Sequence, residues 1–245
     1  MMVHMKLTYV TMFPENYDGF LETVQIKRAR TKGIVETRIV DIRDYADGSF
    51  RHLDDSPCGG GAGMVMRCEP VIKAIRSAKS PESRVILMDP CGMPFTQHKA
   101  RELAELEDIV FVAGHYEGFD ARIYDEADEC ISIGDYILTG GELASQVITD
   151  AVVRLLDGII RKESTVEESF ETMRLEYPQY TRPIEFEGKR VPDVLLSGNH
   201  AKINAWRKRK ALERTIRYRK DLIEKYPLTK EEKELLEKSK DDHSD

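Results

Sequence analysis

The chain has no Cys-x-x-Cys pair, no long apolar run and no excess of positive charge. Each absence excludes something. Four cysteines (Cys58, Cys68, Cys91 and Cys130) spread over 245 residues make neither a structural zinc site nor a disulfide scaffold. Met1–Phe13 has one lysine and no small-residue cleavage site, so it reads as a strand rather than an export signal. The expectation is therefore free thiols and a cytoplasmic location. Apolar runs such as Val85–Met88 and Ile109–Ala113 fall far short of the ~18–20 residues of a membrane-spanning helix, so no membrane partner is expected. A net charge of −7 removes any whole-protein case for nucleic-acid binding, and charge has to be read locally. Gly59–Gly63 is followed by Met64-Val65-Met66-Arg67 and satisfies neither the phosphate-loop nor the dinucleotide-binding pattern. It is left as a tight turn or as a place where backbone approaches a ligand closely. There is no internal repeat.

What is present is 41% apolar and 33% charged residues, enough for one large domain or two smaller ones. Lys6–Phe13, Val35–Ile42, Arg84–Met88, Ile109–Ala113 and Glu129–Ile133 read as strands. Between them Tyr17–Arg30, Pro70–Ser80, Thr96–Leu106 and Glu142–Leu156 read as helices, with Thr96 a plausible N-cap and Gly33 closing the first. Alternation of helices with buried apolar strands predicts an α/β fold with a largely parallel sheet. Glycine- or proline-rich loops follow three of those strands, where open α/β sheets bind ligands. Beyond Leu156 the character changes. Residues 1–160 are expected to form the α/β domain, 161–172 a polar linker, and 173–245 a small helical domain.

One stretch of the second domain is locally basic. Between Lys202 and Lys220 stand nine Lys or Arg residues, among them Arg207, Lys208, Arg214 and Arg217, against one acid, Glu213. That suits phosphate contacts, and equally a solvated helix face. Trp206 is expected to pack inside the domain, with Tyr218 free to stack.

Five stretches, in order along the chain, are Pro57–Met64 (PCGGGAGM), Gly114–Gly118 (GHYEG), Ser132–Glu142 (SIGDYILTGGE), Tyr180–Pro183 and Val191–His200 (VPDVLLSGNH), with Trp206-Arg207 just after. Together they resemble the bacterial tRNA (guanine-37-N1)-methyltransferase family, TrmD, of the SPOUT superfamily. The resemblance implies a deep trefoil knot in the α/β domain and a homodimer with its active site at the subunit interface. It implies methyl transfer from S-adenosylmethionine to N1 of the guanine 3′ of the tRNA anticodon, with magnesium as a possible aid. The cofactor would lie among Leu87, Met88, Asp89 and Pro90, then Gly114, Tyr116, Glu117 and Gly118, then Ser132, Ile133, Gly134, Asp135, Tyr136, Ile137, Leu138, Gly140 and Gly141. Glycines there would let backbone reach an adenine edge, and Ile133, Tyr136 and Leu138 would supply apolar walls. Arg207, Lys208, Arg214, Arg217, Gly59, Gly60 and Asp54 would meet the tRNA.

Guanine N1 is a poor nucleophile until its proton leaves, so the reaction needs a base and a cation near O6. By resemblance these are Glu168, one methylene longer than the family's usual Asp, with Glu167 the fallback, and Arg154. Asp150 stands four residues before Arg154, which is also how an ordinary surface ion pair looks. Phe50, Cys58, Asp89, Cys91 and Ala113 replace residues more usual in the family. A methyltransferase of another RNA and a non-catalytic RNA-binding paralogue remain the alternatives.

Overall fold

The computed structural model describes residues 5–48, 50–160 and 168–241. The chain forms two compact units, Met1–Arg161 and Lys162–Asp245. Residues 161–167, including Glu167, lie outside the described residues.

The first unit is built on a five-stranded sheet. Its strands are β1 (Met5–Thr11), β2 (Val35–Asp41), β5 (Arg84–Pro94), β6 (Asp108–Ala113) and β7 (Glu129–Ser132), in the order β2-β1-β6-β5-β7. Every pairing is parallel. Parallel strands are covered on both faces, which is why β6, Asp-Ile-Val-Phe-Val-Ala, is buried at every position. Alternate residues serve opposite faces. Ile109 and Phe111 join Leu7, Tyr9, Ile86 and Met88 in one core; Val110 and Val112 join Val10, Val85 and Leu87 in the other. Helices α2 (Val24–Thr31), α4 (Gln97–Ala104) and α5 (Glu142–Val153) contribute to the first core, and α3 (Cys68–Ala78) to the second. Two short strands, β3 (Asp54–Asp55) and β4 (Val65–Met66), pair antiparallel outside the sheet.

Several boundaries differ from the sequence expectation, each for a physical reason. The helix expected over 17–30 is broken. A short α1 (Asp18–Leu21) ends where the Thr23 hydroxyl donates to the Phe20 carbonyl at 2.7 Å, and α2 starts afresh. Thr96 does cap α4, accepting from the Lys99 amide at 3.2 Å. The largest difference is in β5, which continues from Met88 to Pro94 through a bulge. Met88 and Met93 both pair with Ile131, and Asp89–Gly92 arch between them. Pro90 and Gly92 ordinarily end a strand. Here Gly92 packs its backbone onto β7: a Cβ at that position would lie 2.5 Å from the Cys130 carbonyl carbon.

Polar pins inside the first core fix α5 to the sheet. The Tyr9 hydroxyl meets the Thr149 hydroxyl at 3.1 Å, and Tyr17 meets Ser145 at 2.8 Å. Glu142, at the first turn of α5 and 3% exposed, receives the Thr11 hydroxyl at 2.6 Å and pairs with His115 Nε2 at 2.7 Å. Burial pushes the Glu142 carboxyl up. The hydrogen bonds from His115 and Thr11 outweigh that and hold it below the ordinary glutamate range.

The second unit carries a two-residue-turn hairpin, β8 (Glu185–Phe186) and β9 (Lys189–Arg190), and then helices. The longest is His200–Tyr218, capped by Asn199, whose side chain accepts from the Lys202 amide at 3.1 Å. It is followed by Lys220–Lys225 and the terminal helix Lys230–Asp241. Trp206 is buried beside Tyr180, as expected.

Two stability measurements check this account. Gly92→Ala is expected to destabilise the first unit by about 1–3 kcal/mol, because β5 and β7 must part. Gly19→Ala, where nothing lies within 4 Å, is expected to be neutral or slightly stabilising; equal denaturation midpoints would contradict the packing at Gly92. Glu142→Gln is expected to cost about 1.5–3 kcal/mol at neutral pH. Because the native Glu142 carboxyl is depressed, its contribution is full above the unfolded value near ~4.3 and is lost as pH falls through the native value. The variant should lack that part of the acid-side slope.

Candidate active site

The carboxyl ends of β5, β6 and β7 lie side by side, and the segments that leave them enclose a cavity of about 310 Å³. That is the lower end of the size range for small-molecule pockets. Met88, Asp89 and Pro90 of β5 form one wall. Gly114, Tyr116, Glu117 and Gly118 form the second. Ser132, Ile133, Gly134, Tyr136, Ile137, Leu138, Gly140 and Gly141 form the third. All were singled out in the sequence. His115, Phe119, Ile131, Thr139 and Ala144 also line the cavity and were not; His115 sits inside the Gly114–Gly118 motif, which was the available signal.

Two residues expected here do not line the cavity. Leu87 is fully buried, because its neighbour Met88 faces the cavity side and alternation along the strand turns Leu87 into the opposite core. Asp135 is exposed, outside the lining set. Pro90 and its neighbours were read as a loop after a strand; they are the bulge within β5.

The walls are fastened to one another. His115 and Gly140 form a β-bridge, and the Gly141 amide donates to the Gly114 carbonyl at 2.9 Å. Gly141 is required for space rather than for its φ. A Cβ there would lie 2.8 Å from the Ala113 Cα, 2.9 Å from the Met88 Cβ and 3.0 Å from the Gly114 amide nitrogen. The bulge is fixed by Asp89, whose carboxylate accepts from the Cys91 amide at 2.9 Å and the Tyr124 hydroxyl at 2.8 Å. The Asp89 hydrogen bond, with burial behind it, pushes the Cys91 thiol up to about 12.

β4 extends the second wall. The Glu117 amide donates to the Met64 carbonyl at 2.9 Å, and the Met66 amide to the Gly118 carbonyl at 2.9 Å. The turn holding Gly59 and Gly60 is thereby carried on the same wall. Both glycines are exposed, with nothing within 4 Å of a Cβ. Asp54, on β3, pairs with Met66, and its charge adds to burial in raising the half-exposed Tyr116 phenol. Arg154 follows the last residue of α5, its amide bonded to the Asp150 carbonyl at 3.2 Å, and its side chain is half-buried.

In the second unit Glu168 is half-buried and opens a turn in which the Glu171 amide donates to its carbonyl at 3.3 Å. Arg214 and Arg217 come together on a groove of about 620 Å³ shared with Pro178, Lys210 and Tyr218. Arg207 instead lies over the Tyr177 ring at 4.8 Å, and Lys208 is exposed outside that groove. Among the described residues no group of three or more His, Cys, Asp or Glu side chains is placed to hold a metal ion, and no helix is long and apolar enough to cross a membrane.

The family model described as tRNA (Guanine-1)-methyltransferase TrmD matches residues 5–225. The tRNA (guanine-N(1)-)-methyltransferase of Macrococcus caseolyticus is 52% identical over 241 residues, covering 97% of this chain and 100% of that protein. The Staphylococcus carnosus protein of the same name is 52% identical over 240 residues, 96% of this chain and 98% of its own. That of Staphylococcus haemolyticus is 50% identical over 240 residues, again 96% and 98%. A match running from the first strand of the sheet into the helices of the second unit, with relatives at this identity along nearly their whole length, settles the assignment: the chain is an enzyme of the tRNA (Guanine-1)-methyltransferase TrmD family.

Proposed function

We propose that this enzyme methylates N1 of the guanine 3′ of the tRNA anticodon, position 37, using S-adenosylmethionine, as a cytoplasmic homodimer. The observation that carries the reading is the cavity at the ends of β5, β6 and β7, whose walls meet only because Gly141 lacks a side chain. Backbone groups of the 114–118 and 132–141 segments are accessible there to a purine edge, and Ile133 and Leu138 supply apolar surface. The knotted path of the family belongs to the same reading. It is supported by the 134–141 segment, which lies against Gly114 before the chain turns into α5.

The bound cofactor supplies a methyl group already activated by its sulfonium. Glu168 accepts the N1 proton of the target guanine, and N1 becomes the nucleophile. With the cofactor bound, its thioether would be the leaving group, the N1–carbon bond forming as the carbon–sulfur bond breaks. Arg154 offsets the negative charge that spreads to O6. In this reading Arg154 of one protomer serves with Glu168 of its partner, so activity requires dimerisation. Reaching N1, on the base-pairing edge, requires a splayed-out guanine. Arg214 and Arg217, with Arg207 and Lys208, hold the tRNA backbone, and Gly59, Gly60 and Asp54 approach the substrate from the cofactor side. Magnesium is assigned no residue.

The test is transfer of labelled methyl to unmodified tRNA transcripts, with the product mapped. Methyl on N1 of guanine 37 is expected; label elsewhere would move the assignment to another RNA position. Glu168→Gln is expected to lower the single-turnover rate about 10²–10⁴-fold with cofactor affinity unchanged. Gly141→Ala is expected to do the reverse, weakening cofactor binding in calorimetry at least ~10-fold while tRNA affinity holds. A Gly141→Ala enzyme that binds cofactor normally would overturn the placement.

A further inference from the structure

Glu168 belongs to a segment held by a partner far along the chain. Within the segment, the Glu176 amide donates to Ser169 Oγ at 2.9 Å and the Phe170 amide to the Arg174 carbonyl at 2.8 Å. Phe170 takes φ +74° to do so, a strained value for a bulky residue. The turn that begins at Glu168 is thus closed on Arg174 and Glu176.

Arg174 is buried, its side chain 9% exposed, which is unusual for an arginine in a polar segment. Its guanidinium forks onto Glu232: Nε to Oε1 at 2.9 Å and Nη2 to Oε2 at 3.0 Å. A planar two-bond fork fixes orientation as well as distance. Glu232 is itself locked. It is the third residue of the terminal helix, and it forms a capping box with Thr229: its Oε2 accepts from the Thr229 amide at 2.8 Å, and its amide donates to Thr229 Oγ1 at 3.2 Å. The Arg174 guanidinium holds the Glu232 carboxyl below the ordinary range. The match to the family ends at residue 225, so Arg174 lies within the matched residues and Glu232 past them.

We propose that Glu232 is a positioning residue for Glu168: through Arg174, the capped start of the terminal helix fixes the turn that presents the general base. The inference rests on the reading of Glu168 as that base. Glu232 touches neither substrate nor cofactor in this account. It orients Arg174, Arg174 anchors the 169–176 closure, and the closure sets where the carboxylate points. A base displaced by about 1 Å can lose as much as ~10²-fold in rate.

The variant is Glu232→Gln, since glutamine keeps the capping box and removes the charged fork. Arg174→Lys, which keeps the charge and loses the fork, is made alongside in case the first folds poorly. Single-turnover methyl transfer at saturating tRNA and cofactor is measured with tRNA affinity and thermal melting, in the parent and in the Glu168→Gln background. In the parent, the rate is expected to fall about 10–100-fold with tRNA affinity held within about twofold. In the Glu168→Gln background no further loss is expected, because the clamp acts only through Glu168. If that background is too slow to measure, the split between rate and tRNA affinity in the parent decides. An unchanged rate, an equal fold loss in both backgrounds, or a loss matched by weaker tRNA binding would overturn the proposal while leaving the base in place. A fully active Glu168→Gln enzyme would instead overturn the base reading, and the positioning role with it.

Discussion

The first unit depends on one buried carboxylate. Glu142 starts α5, and its two oxygens take up the end of β1 through Thr11 and the segment after β6 through His115. Leaving such a group unpaired inside a protein costs several kcal/mol, so the three elements cannot drift independently. Each of them borders the cavity or holds a wall that does. The Gly141 amide bond to Gly114 and the 115–140 bridge then set the separation of two walls, and the Asp89 bulge sets the third. What looks like a loop-built pocket is one whose loops are pinned to sheet and helix at nearly every turn.

Much of this was legible in the sequence where periodicity or capping chemistry is local. An unbroken apolar run marked β6, Thr96 marked a helix start, and Gly33 marked a helix end. The glycine-rich segments after three strands pointed to the cavity. Contacts set by distant residues were not legible. Pro90 and Gly92 carry the signature of a strand end, yet the strand resumes because Gly92 fits against Cys130 and Ile131, some forty residues on. Leu87 falls in the right stretch but on the wrong face, which a one-residue alternation decides. Thr23 breaks a helix by a hydrogen bond that helix propensity does not weigh. Nothing local to Arg174 marks it as buried; its partner is Glu232, 58 residues later.

The two units solve the same problem differently. In the first, a largely buried parallel sheet provides rigidity, and paired polar groups tie it to its helices: Tyr9 with Thr149, Tyr17 with Ser145, Thr11 with Glu142. The second has a smaller interior and relies on end-of-helix chemistry, with Asn199 and the Thr229–Glu232 box fixing where helices begin. In its basic groove Lys210 pairs with Glu213 at 2.6 Å, while Arg217 lies over the Tyr218 ring and Arg214 donates to the Glu176 carbonyl. That leaves positive potential on a protein whose net charge is negative.

The bulge in β5 also bears on inhibitor chemistry. Cys91 is exposed in the bulge beside the lining residues Asp89 and Pro90, where a covalent warhead would be aimed first. The same Asp89 that shapes the wall keeps that thiol protonated. The Asp89 hydrogen bond, with burial behind it, raises the thiol well above its ordinary value, so the thiolate is scarce at neutral pH. Electrophiles that rely on thiolate attack would therefore react sluggishly at this position. Compounds that bind reversibly, by matching the backbone donors and acceptors of the glycine walls, are the chemistry this rim favours.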